Sequence, residues 1–538
     1  MADKLYFSRD SKLYVELTGI NGSFQGLWEI PVLDGFSFSQ ATNQTEIGLQ
    51  EMESTAGTSR RGRRLFTDSL SPAEWSFSTY MRPTNHGSNK MHLVDQVLWA
   101  AMAGADNFGG TGVTATGPTG TGNYTRSTNP VTGVGGISGV VHDEEGATLP
   151  SDSTAVGGLL DFKNSNRATL PKITLYFVFE TDTSNPMVYK LSNAIVNECS
   201  IDFDIDGIAT ANWSGFAKEV TDLQSAGKVN VGTSAPSVSQ DLVFLDSGND
   251  YRLSVPIDAD NGGGLSPVHD AFRTAITTGV TSTNNFIRNR LTQLEVRGQN
   301  PDVMEGKRVG IDSESSGTFT CDAAHGLKAG DVVRISGLTG TNAGNFNDKN
   351  VFVLSTGLTT TAFKVSLTDG GSAISGTVTT SGTPVVDTGI YSFTLTGGNI
   401  TIGNNVTYLV PEEIGTINKP IEGVTGARAI GGSFTCYLVF DNATGVSGHT
   451  GASADFFADL VDPTKGLTKV VNDFDVTFKV GGTVAGEPRV NFNFPKVHID
   501  VPTHSIEDVI SLETNFGAYT EDFDTADEFQ IEVFGVSA

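Results

Sequence analysis

Basic residues are scarce in this 538-residue chain, and their scarcity excludes one large class of functions. The chain has 34 lysines and arginines against 61 aspartates and glutamates, which gives a formal net charge of −27 and a pI of about 4.6. Proteins that wrap nucleic acid neutralise its phosphates with clustered basic side chains, so we do not expect this chain to bind DNA in that way. A surface of this charge repels DNA, which suits a surface past which DNA moves without sticking.

Cysteine is scarce as well. Cys199, Cys321 and Cys436 are odd in number, lie far apart and have no CxxC spacing. This pattern argues against a disulfide framework and a zinc site, and it is typical of a chain folded in a reducing cytoplasm. Residues 1–5 lack a charged segment followed by an apolar run, so we expect no signal peptide. No apolar stretch approaches the ~18 residues of a membrane-spanning helix, so we expect no contact with a membrane.

Motifs that carry chemistry are missing. The eight histidines are scattered, none lies in an HExxH pattern, and the chain has no GxSxG sequence. The glycine-rich segments 109–122 and 133–139 do not follow a strand and open a helix, so they do not have the pattern of a phosphate-binding loop. The sequence therefore predicts no catalytic site, no resident metal and no cofactor.

Glycine, by contrast, is abundant, with 63 residues, and it is accompanied by many Thr, Ser, Asn and Val. This composition favours strands and turns. Apolar and polar residues alternate over 5–18 and 75–81, which predicts strands. The period changes to three and four residues over 89–103, which predicts an amphipathic helix that ends at Gly104. Residues 104–158 are rich in Gly and Thr and predict a long surface loop or hairpin.

The chain also contains an internal repeat. Phe7-x-Arg9, followed by the Glu-containing strand that ends at Gly19, recurs 279 residues later as Phe286-x-Arg288 and the strand that ends at Gly298. Further on, residues 433–438 mirror 76–81, and a second helix is predicted at 453–460. Such self-similarity is typical of a duplicated β domain and favours a role in assembly.

The repeat predicts a domain plan. Residues 1–225 form the first domain, 226–283 a connector, and 284–306 together with 387–538 the second domain. Residues 307–386 interrupt the second copy with short Thr/Val/Gly strands of their own. Such a segment can close a small β barrel or sandwich.

Three aspartates attract attention because of their spacing. Asp202, Asp204 and Asp206 precede Gly207 as in the first half of a calcium-binding EF-hand loop. The twelfth position would be Trp213 where that loop needs a bidentate glutamate, and the flanking residues predict strands. We therefore predict no metal here and interpret the three residues as an acidic strand face that points to solvent or into a lumen.

A basic run stands out within the long polar segment 42–64. It consists of Arg60, Arg61, Arg63 and Arg64. Nucleic-acid contact is one interpretation, but no aromatic residues are interleaved and no recognition helix is predicted. We favour an arm that meets an acidic face of a neighbouring subunit, where complementary charge sets register and orientation.

Taken together, residues 33–39, the polar segment up to Arg64 and residues 72–83 resemble bacteriophage tail tube proteins, also called major tail proteins. Those proteins place a strand, a long inter-ring arm, a paired strand and then a helix in this order. The doubling is similar to the duplicated, trimer-forming tube proteins of T5-like siphophages, which also carry an extra β domain.

The resemblance implies a mainly β fold: two tandem tail-tube domains of β-sandwich or barrel type, each with a flanking helix, plus the inserted small β domain, Ig-like or barrel. It implies a structural virion protein without enzymatic activity, made in the host bacterial cytoplasm and assembled into the tail. Stacked trimeric, pseudo-hexameric rings would form the channel for genome delivery. Asp202, Asp204 and Asp206 would line its lumen, and the arm, with a counterpart near 410–428, would bridge stacked rings.

The implied partners are other copies of the chain, together with the tape measure, tail terminator and distal tail proteins. Double-stranded DNA would pass through the lumen without specific binding. Two other interpretations stay open from the residues. A β-rich tail fibre or adhesin for host glycans would need a partly exposed aromatic site but no matching ring domains. A polysaccharide-degrading enzyme would use paired carboxylates, a secretion signal and a Trp-rich cleft, whereas the chain has four Trp.

Overall fold

Strands dominate the chain, and the expectation of a mainly β fold is confirmed. The computed structural model describes residues 8, 11–18, 24–33, 35–46, 65–85, 90–93, 95–103, 137–138, 155–161, 170, 172–179, 187–204, 206–222, 230–231, 243–245, 251–253, 286–410, 419–440, 450–462, 473–482, 488–506, 509–520 and 528–536. The described residues include two α-helices, and neither is long and apolar enough to cross a membrane.

The first half of the chain contains fifteen strands and one helix among its described residues. They are β1 (Ser11–Thr18), β2 (Phe24–Ile30), β3 (Ser37–Glu46), β4 (Leu65–Tyr80), β5 (Pro83–Asn85), β6 (Lys90–Leu93), α1 (Gln96–Ala103), β7 (Ile137–Ser138), β8 (Ala155–Asp161), β9 (Lys172–Phe179), β10 (Met187–Asp204), β11 (Thr210–Ala217), β12 (Glu219–Asp222), β13 (Asn230–Val231), β14 (Val243–Leu245) and β15 (Tyr251–Leu253).

The second half follows with sixteen strands and one helix in the part that is described. They are β16 (Gln293–Gly298), β17 (Arg308–Ser315), β18 (Thr318–Cys321), β19 (Val332–Ser336), β20 (Asn350–Leu354), β21 (Ala362–Ser366), β22 (Val385–Asp387), β23 (Ile390–Gly403), β24 (Thr407–Leu409), β25 (Glu422–Val424), β26 (Ala429–Tyr437), α2 (Ser453–Val461), β27 (Phe474–Val480), β28 (Arg489–Ile499), β29 (Thr503–Ile506), β30 (Ile510–Ala518) and β31 (Gln530–Val536).

The two halves share one order of antiparallel pairing. In the first half the neighbours run β2-β1-β9-β10-β11-β4-β3. In the second half they run β23-β16-β27-β28-β30-β26 and return to β23, which closes the sheet. The long strand β23 takes the places of both β2 and β3. A common pairing order is what a duplicated fold requires, whereas the domain boundaries drawn from the sequence stay predictions.

The helix of the first half is shorter than its periodicity predicts. Residues 90–93 form β6, which pairs with β5, and α1 begins only at Gln96. Asp95 fixes this start, because its backbone oxygen accepts from the N–H groups of Leu98 and Trp99. Its buried carboxylate also accepts from Thr79 Oγ1 at 2.8 Å and from Trp213 Nε1 at 3.3 Å. Burial outweighs these hydrogen bonds and raises the pKa of Asp95 to about 6.

A continuous apolar core runs through both halves. Phe203 of β10 stacks on Phe478 of β27 with ring centroids 5.8 Å apart, and Trp99 of α1 contacts Trp213 at 4.7 Å. Trp99 also faces Phe492 of β28. Strand β8 begins within the glycine-rich segment that predicts a loop, and it pairs with β31 near the C-terminus. The two halves are therefore packed into one unit.

The inserted segment forms a separate closed barrel with the strand order β17-β18-β21-β20-β19-β22. Its own core contains Phe319, Phe346 and Phe363. The Thr/Val/Gly pattern also predicts a strand at 376–380, but these residues form only an isolated bridge between Thr379 and Thr339, and the barrel is closed by β17 and β22. The two ends of the barrel meet, since Thr388 N donates to Lys307 O at 3.0 Å.

A buried charged cluster joins this barrel to the second half. Arg297 of β16 lies between Glu295 and Asp331 of the inserted barrel and donates to both carboxylates, and Lys479 also contacts Glu295. Burial favours the neutral form of Glu295, but the charges of Arg297 and Lys479 outweigh it and lower the pKa of Glu295 to about 2. The barrel is thus attached by ion pairs as well as by its two chain connections.

Candidate functional site

The strand β10 joins the two halves into one sheet. Its residues from Glu198 to Asp204 pair antiparallel with β23 from Gly403 to Gly397. On its other side the same stretch of β10 pairs with β11. A continuous sheet with the order β3-β4-β11-β10-β23-β26-β30 results, with strands from both halves. Alternation along each strand places one set of side chains in the core and the other on the opposite surface.

That opposite surface is acidic. Its carboxylates are exposed, and their immediate neighbours along each strand are mainly buried. We call the outward positions of these seven strands the acidic face, and its carboxylates are Glu74, Glu198, Asp202, Asp204 and Glu513. The other outward positions near the junction are mainly Ser, Thr, Asn and Gly. Where these seven strands pair with one another, their described residues include no Lys or Arg.

Two of the three predicted lumen residues belong to the acidic face. Asp202 and Asp204 occupy alternate outward positions of β10, and Asn212 Nδ2 donates to Asp202 Oδ2 at 3.0 Å. Asp206 lies in the turn after β10, where Gly207 N donates to Asp204 O. Within the described ranges, no group of three or more His, Cys, Asp or Glu residues could hold a metal ion.

Glu74 and Glu198 were missed by the sequence analysis. Glu74 lies between two buried residues of an alternating strand and Glu198 directly precedes the buried Cys199, so the sequence does indicate that both point outward. The order in which β4, β10 and β30 become neighbours comes from long-range pairing, which alternation does not report. Only the assembled sheet brings these carboxylates onto one surface.

The chemistry of the acidic face is limited to repulsion and hydration. Carboxylates accept hydrogen bonds and offer no donor to a phosphate oxygen, and Ser, Thr and Asn are uncharged. A duplex close to this surface gains no counterion release, because no cation replaces its condensed ions. The face therefore fits a surface along which a polyanion slides.

The predicted basic arm lies mostly outside the described residues, and so do Arg60, Arg61, Arg63 and Arg64. Its base is described: beyond the pairing of β4 with β11, β3 and β4 continue as a two-stranded ribbon from Thr42–Leu70 to Glu46–Leu65. The β3 side chains at 41–46 are all exposed, and Leu65 and Phe66 of β4 are about half exposed. A two-stranded ribbon with so little buried surface is marginally stable alone, so the described ribbon is a candidate for contact with a partner.

The counterpart of the arm in the second half is the hairpin β24–β25, with residues 411–418 outside the described part. It lies against the first half of the same chain. Tyr408 Oη donates to Asn193 O, and Lys172 and Lys419 form ion pairs with Glu422 and Glu219 across the junction. The described portion of this hairpin therefore strengthens the junction between the halves.

Comparison with known proteins gives one informative match. The tail tube protein pb6 of Escherichia phage T5 is 22% identical to this chain over 526 residues, which cover 97% of this chain and 75% of the T5 protein. The chain is related to the T5-like tail tube proteins. This relationship supports a structural role in the tail tube of a phage virion. No family model matches the chain.

Proposed function

We propose that three copies of this chain close into a pseudo-hexameric ring and that such rings stack into the tube through which the genome is delivered. The observation that carries the proposal is the junction between β10 and β23. It supplies, within one chain, a model for how one domain joins the next.

The junction pairs an edge of the first half with an edge of the second half. Each half also has the edge that the other half contributes to this junction, and these two edges remain. The end of β10 pairs with β11. In the second half, the end of β28 and the strand β29 pair with β30, which is the equivalent of β11, so they correspond to the end of β10. The first-half equivalent of β23 beside β26 is β3 beside β4. Among the described residues, β3 pairs only with β4, and β29 pairs only with β30. Unpaired edges of this kind are templates for another chain.

If β29 of one chain pairs with β3 of the next, the contact between the two chains has the same form as the junction between β10 and β23 within one chain. Such a head-to-tail contact produces a closed ring when the rotation closes and a filament when it does not. Closure with three chains, and thus six domains, is what the resemblance to T5-like tube proteins implies. A closed ring removes all these edges at once.

In such a ring the acidic face is repeated around the axis, and we place it on the lumen. Glu74, Asp202, Asp204 and their neighbours then repel the phosphates of DNA, which passes without specific binding. Asp206 borders this face in the turn beside β10. The proposal assigns no catalytic activity and no cofactor to the chain.

We place the arm between stacked rings. The ribbon of β3 and β4 is exposed, and Arg60, Arg61, Arg63 and Arg64 belong to the segment that links its two strands in sequence. The chain has a net charge of −27, so four neighbouring arginines can form complementary charge contacts with an acidic surface of another copy. Contacts with tape measure, terminator and distal tail proteins stay predictions from the resemblance.

The test combines electron microscopy with native mass spectrometry of the purified chain. We expect six-lobed hollow rings or tubes in end-on views and a ring mass of three chains. Monomers at high concentration, or rings with another number of chains, would contradict the proposal.

A charge-reversal variant tests the arm separately. Changing Arg60, Arg61, Arg63 and Arg64 to Glu should leave closed rings that no longer stack. Lys349→Glu with Lys364→Glu, on the inserted barrel, is the matched control and should stack normally. Tubes of normal length from the arm variant would remove the arm from the ring–ring contact.

A further inference from the structure

The first half ends in a surface that the second half covers. Where β4 ends, Phe286 packs edge-to-face on Tyr80 with centroids 5.5 Å apart, and the guanidinium of Arg82 lies 4.4 Å from the centroid of the Phe286 ring. Ile208 forms an antiparallel bridge with Arg288. The segment 286–289 thus extends the sheet beyond β4 and directly precedes β16.

Two backbone hydrogen bonds flank this contact. Ala209 N donates to Ile287 O at 3.0 Å, and Asn289 N donates to Gly207 O at 3.0 Å. The segment is therefore held by main-chain pairing as well as by the ring of Phe286. Burial under this segment leaves Arg82 only 5% exposed.

Among the residues that the structure describes, the second half has the same surface without a cover. Met81 N donates to Ala209 O in the first half, and Leu438 N donates to Ile510 O in the second. One residue earlier, Tyr80 faces Thr210 and Tyr437 faces Ser511 in the corresponding ladders. Tyr437 and Val509 therefore occupy the positions of Tyr80 and Ile208.

This uncovered surface is apolar. We call it the end patch, and its residues are Tyr437 (47% exposed), Val439 (50%), Phe440 (72%), Val509 (56%) and Ile510 (39%). A contiguous group of exposed large apolar side chains marks a site of interaction. Val439 stands where the first half has Arg82, so the patch is less polar than its covered counterpart.

The sequence supplies a matching cover. Phe7 and Arg9 stand in the same relation to β1 as Phe286 and Arg288 do to β16, since both landmarks recur 279 residues later. Residues 7, 9 and 10 lie outside the described part of the chain, so the argument rests on their sequence. Within one chain, the segment before the second domain covers the end of the first domain.

We propose that the segment Phe7–Asp10 of a second copy of this chain covers the end patch. Phe7 contacts Tyr437 and Val439, and Arg9 forms the bridge with Val509 that Arg288 forms with Ile208. This inference deepens the proposed ring and rests on it, since the same head-to-tail operation that pairs β29 with β3 of the next chain brings that chain's N-terminal segment to the end patch.

Disulfide cross-linking tests this geometry. Arg9→Cys with Val509→Cys, oxidised in the assembled state, should give linked dimers and trimers on a non-reducing gel and no larger ring species. Each single variant should give no such trimer. Ile208→Cys with Arg288→Cys is the matched control, because it places the same bridge within one chain and should produce only a linked monomer. The native Cys199, Cys321 and Cys436 are buried and do not compete.

A second pair of variants keeps the test independent of cysteine chemistry. Phe7→Asp and Val509→Asp should each raise the concentration needed for assembly at least tenfold, while circular dichroism stays unchanged. Leu367→Asp, at an exposed position of the inserted barrel, is the control and should assemble as the wild type does.

The outcomes separate this inference from the proposed ring. Trimeric rings without the Arg9–Val509 cross-link, or with full tolerance of both aspartate variants, would overturn the N-terminal contact and leave the ring intact. Absence of rings from the wild-type chain would overturn both.

Discussion

At the scale of residues, the two halves solve one packing problem in opposite ways. Gly215 of β11 faces Trp75 of β4, and at the equivalent position of the second half Gly432 of β26 faces Phe516 of β30. Each pair therefore combines one aromatic side chain with one glycine, but the two strands exchange roles. A core accepts such an exchange because the total volume is kept.

The first prediction tests this pairing. A Cβ at position 215 would lie 2.2 Å from Ile195 O and 2.5 Å from the Trp75 ring, so Gly215→Ala should destabilise the chain by about 1–3 kcal/mol. Urea unfolding of the chain measures this change. Gly344→Ala is the control, because a Cβ there meets nothing within 4 Å, and its effect should stay within about 0.5 kcal/mol. Equal effects of the two substitutions would contradict the packing argument.

At the scale of elements, alternation and helical period account for what the sequence predicts well. The strands around residues 75–81 and 11–18, and a helix near 453–460, follow from side chains that alternate between core and solvent. Strand β8 was missed because Gly157 and Gly158 weaken its local signal, and its order comes from long-range pairing with β31. Lys90–Leu93 was assigned to the helix because Met91 fits the spacing of three and four residues that continues to Met102, and pairing with β5 decided for the strand.

The same reasoning explains how far the candidate site could be predicted. The spacing of Asp202 and Asp204 already places both on one side of a strand. Whether Asp202 and Asp204 share a surface with Glu74 and Glu513 depends on which strands become neighbours, and that is a property of the whole sheet.

The second prediction concerns the inserted barrel as an element. Replacing residues 308–387 with a short Gly-Ser linker should leave a folded chain that still assembles, because Lys307 and Thr388 are already hydrogen-bonded neighbours. The apolar core of the barrel is also separate from that of the two halves. Electron microscopy of the shortened chain should show thinner rings with the same lobes.

The excised barrel provides the control for that deletion. Expressed alone as residues 305–390, it should fold as a monomer, as seen by circular dichroism and gel filtration. An insoluble shortened chain would mean that the barrel supports the second half through the Arg297–Asp331 ion pair.

At the scale of the whole molecule, charge and architecture agree. An excess of 27 negative charges keeps copies of the chain soluble but makes close association costly unless basic groups or paired edges offset the repulsion. The junction between β10 and β23 and the ion pairs Lys172–Glu422 and Lys419–Glu219 offset it within the chain. The arm and the end patch are our candidates for the same task between chains.

The third prediction tests the acidic face in the assembled tube. Changing Glu74, Glu198, Asp202 and Asp204 to Lys should create binding of duplex DNA that weakens steeply with salt, because released counterions then drive association. Fluorescence anisotropy of a labelled duplex, titrated with variant tubes at several salt concentrations, measures it. The isosteric set of Gln and Asn substitutions should not bind. Equal binding by the two sets would show that the acidic face does not meet DNA.

The covalent link between the halves has a consequence for how assembly responds to dilution. The contact between β10 and β23 forms within one chain, so its partners meet at the effective concentration of a tether, in the range of about millimolar for short linkers. Contacts between chains, in contrast, form at the concentration of free protein. Diluting a ring should therefore release intact two-domain chains and no single domains. In the proposed ring, every second contact between domains is then independent of concentration, and a dissociation curve reports on the contacts between chains alone.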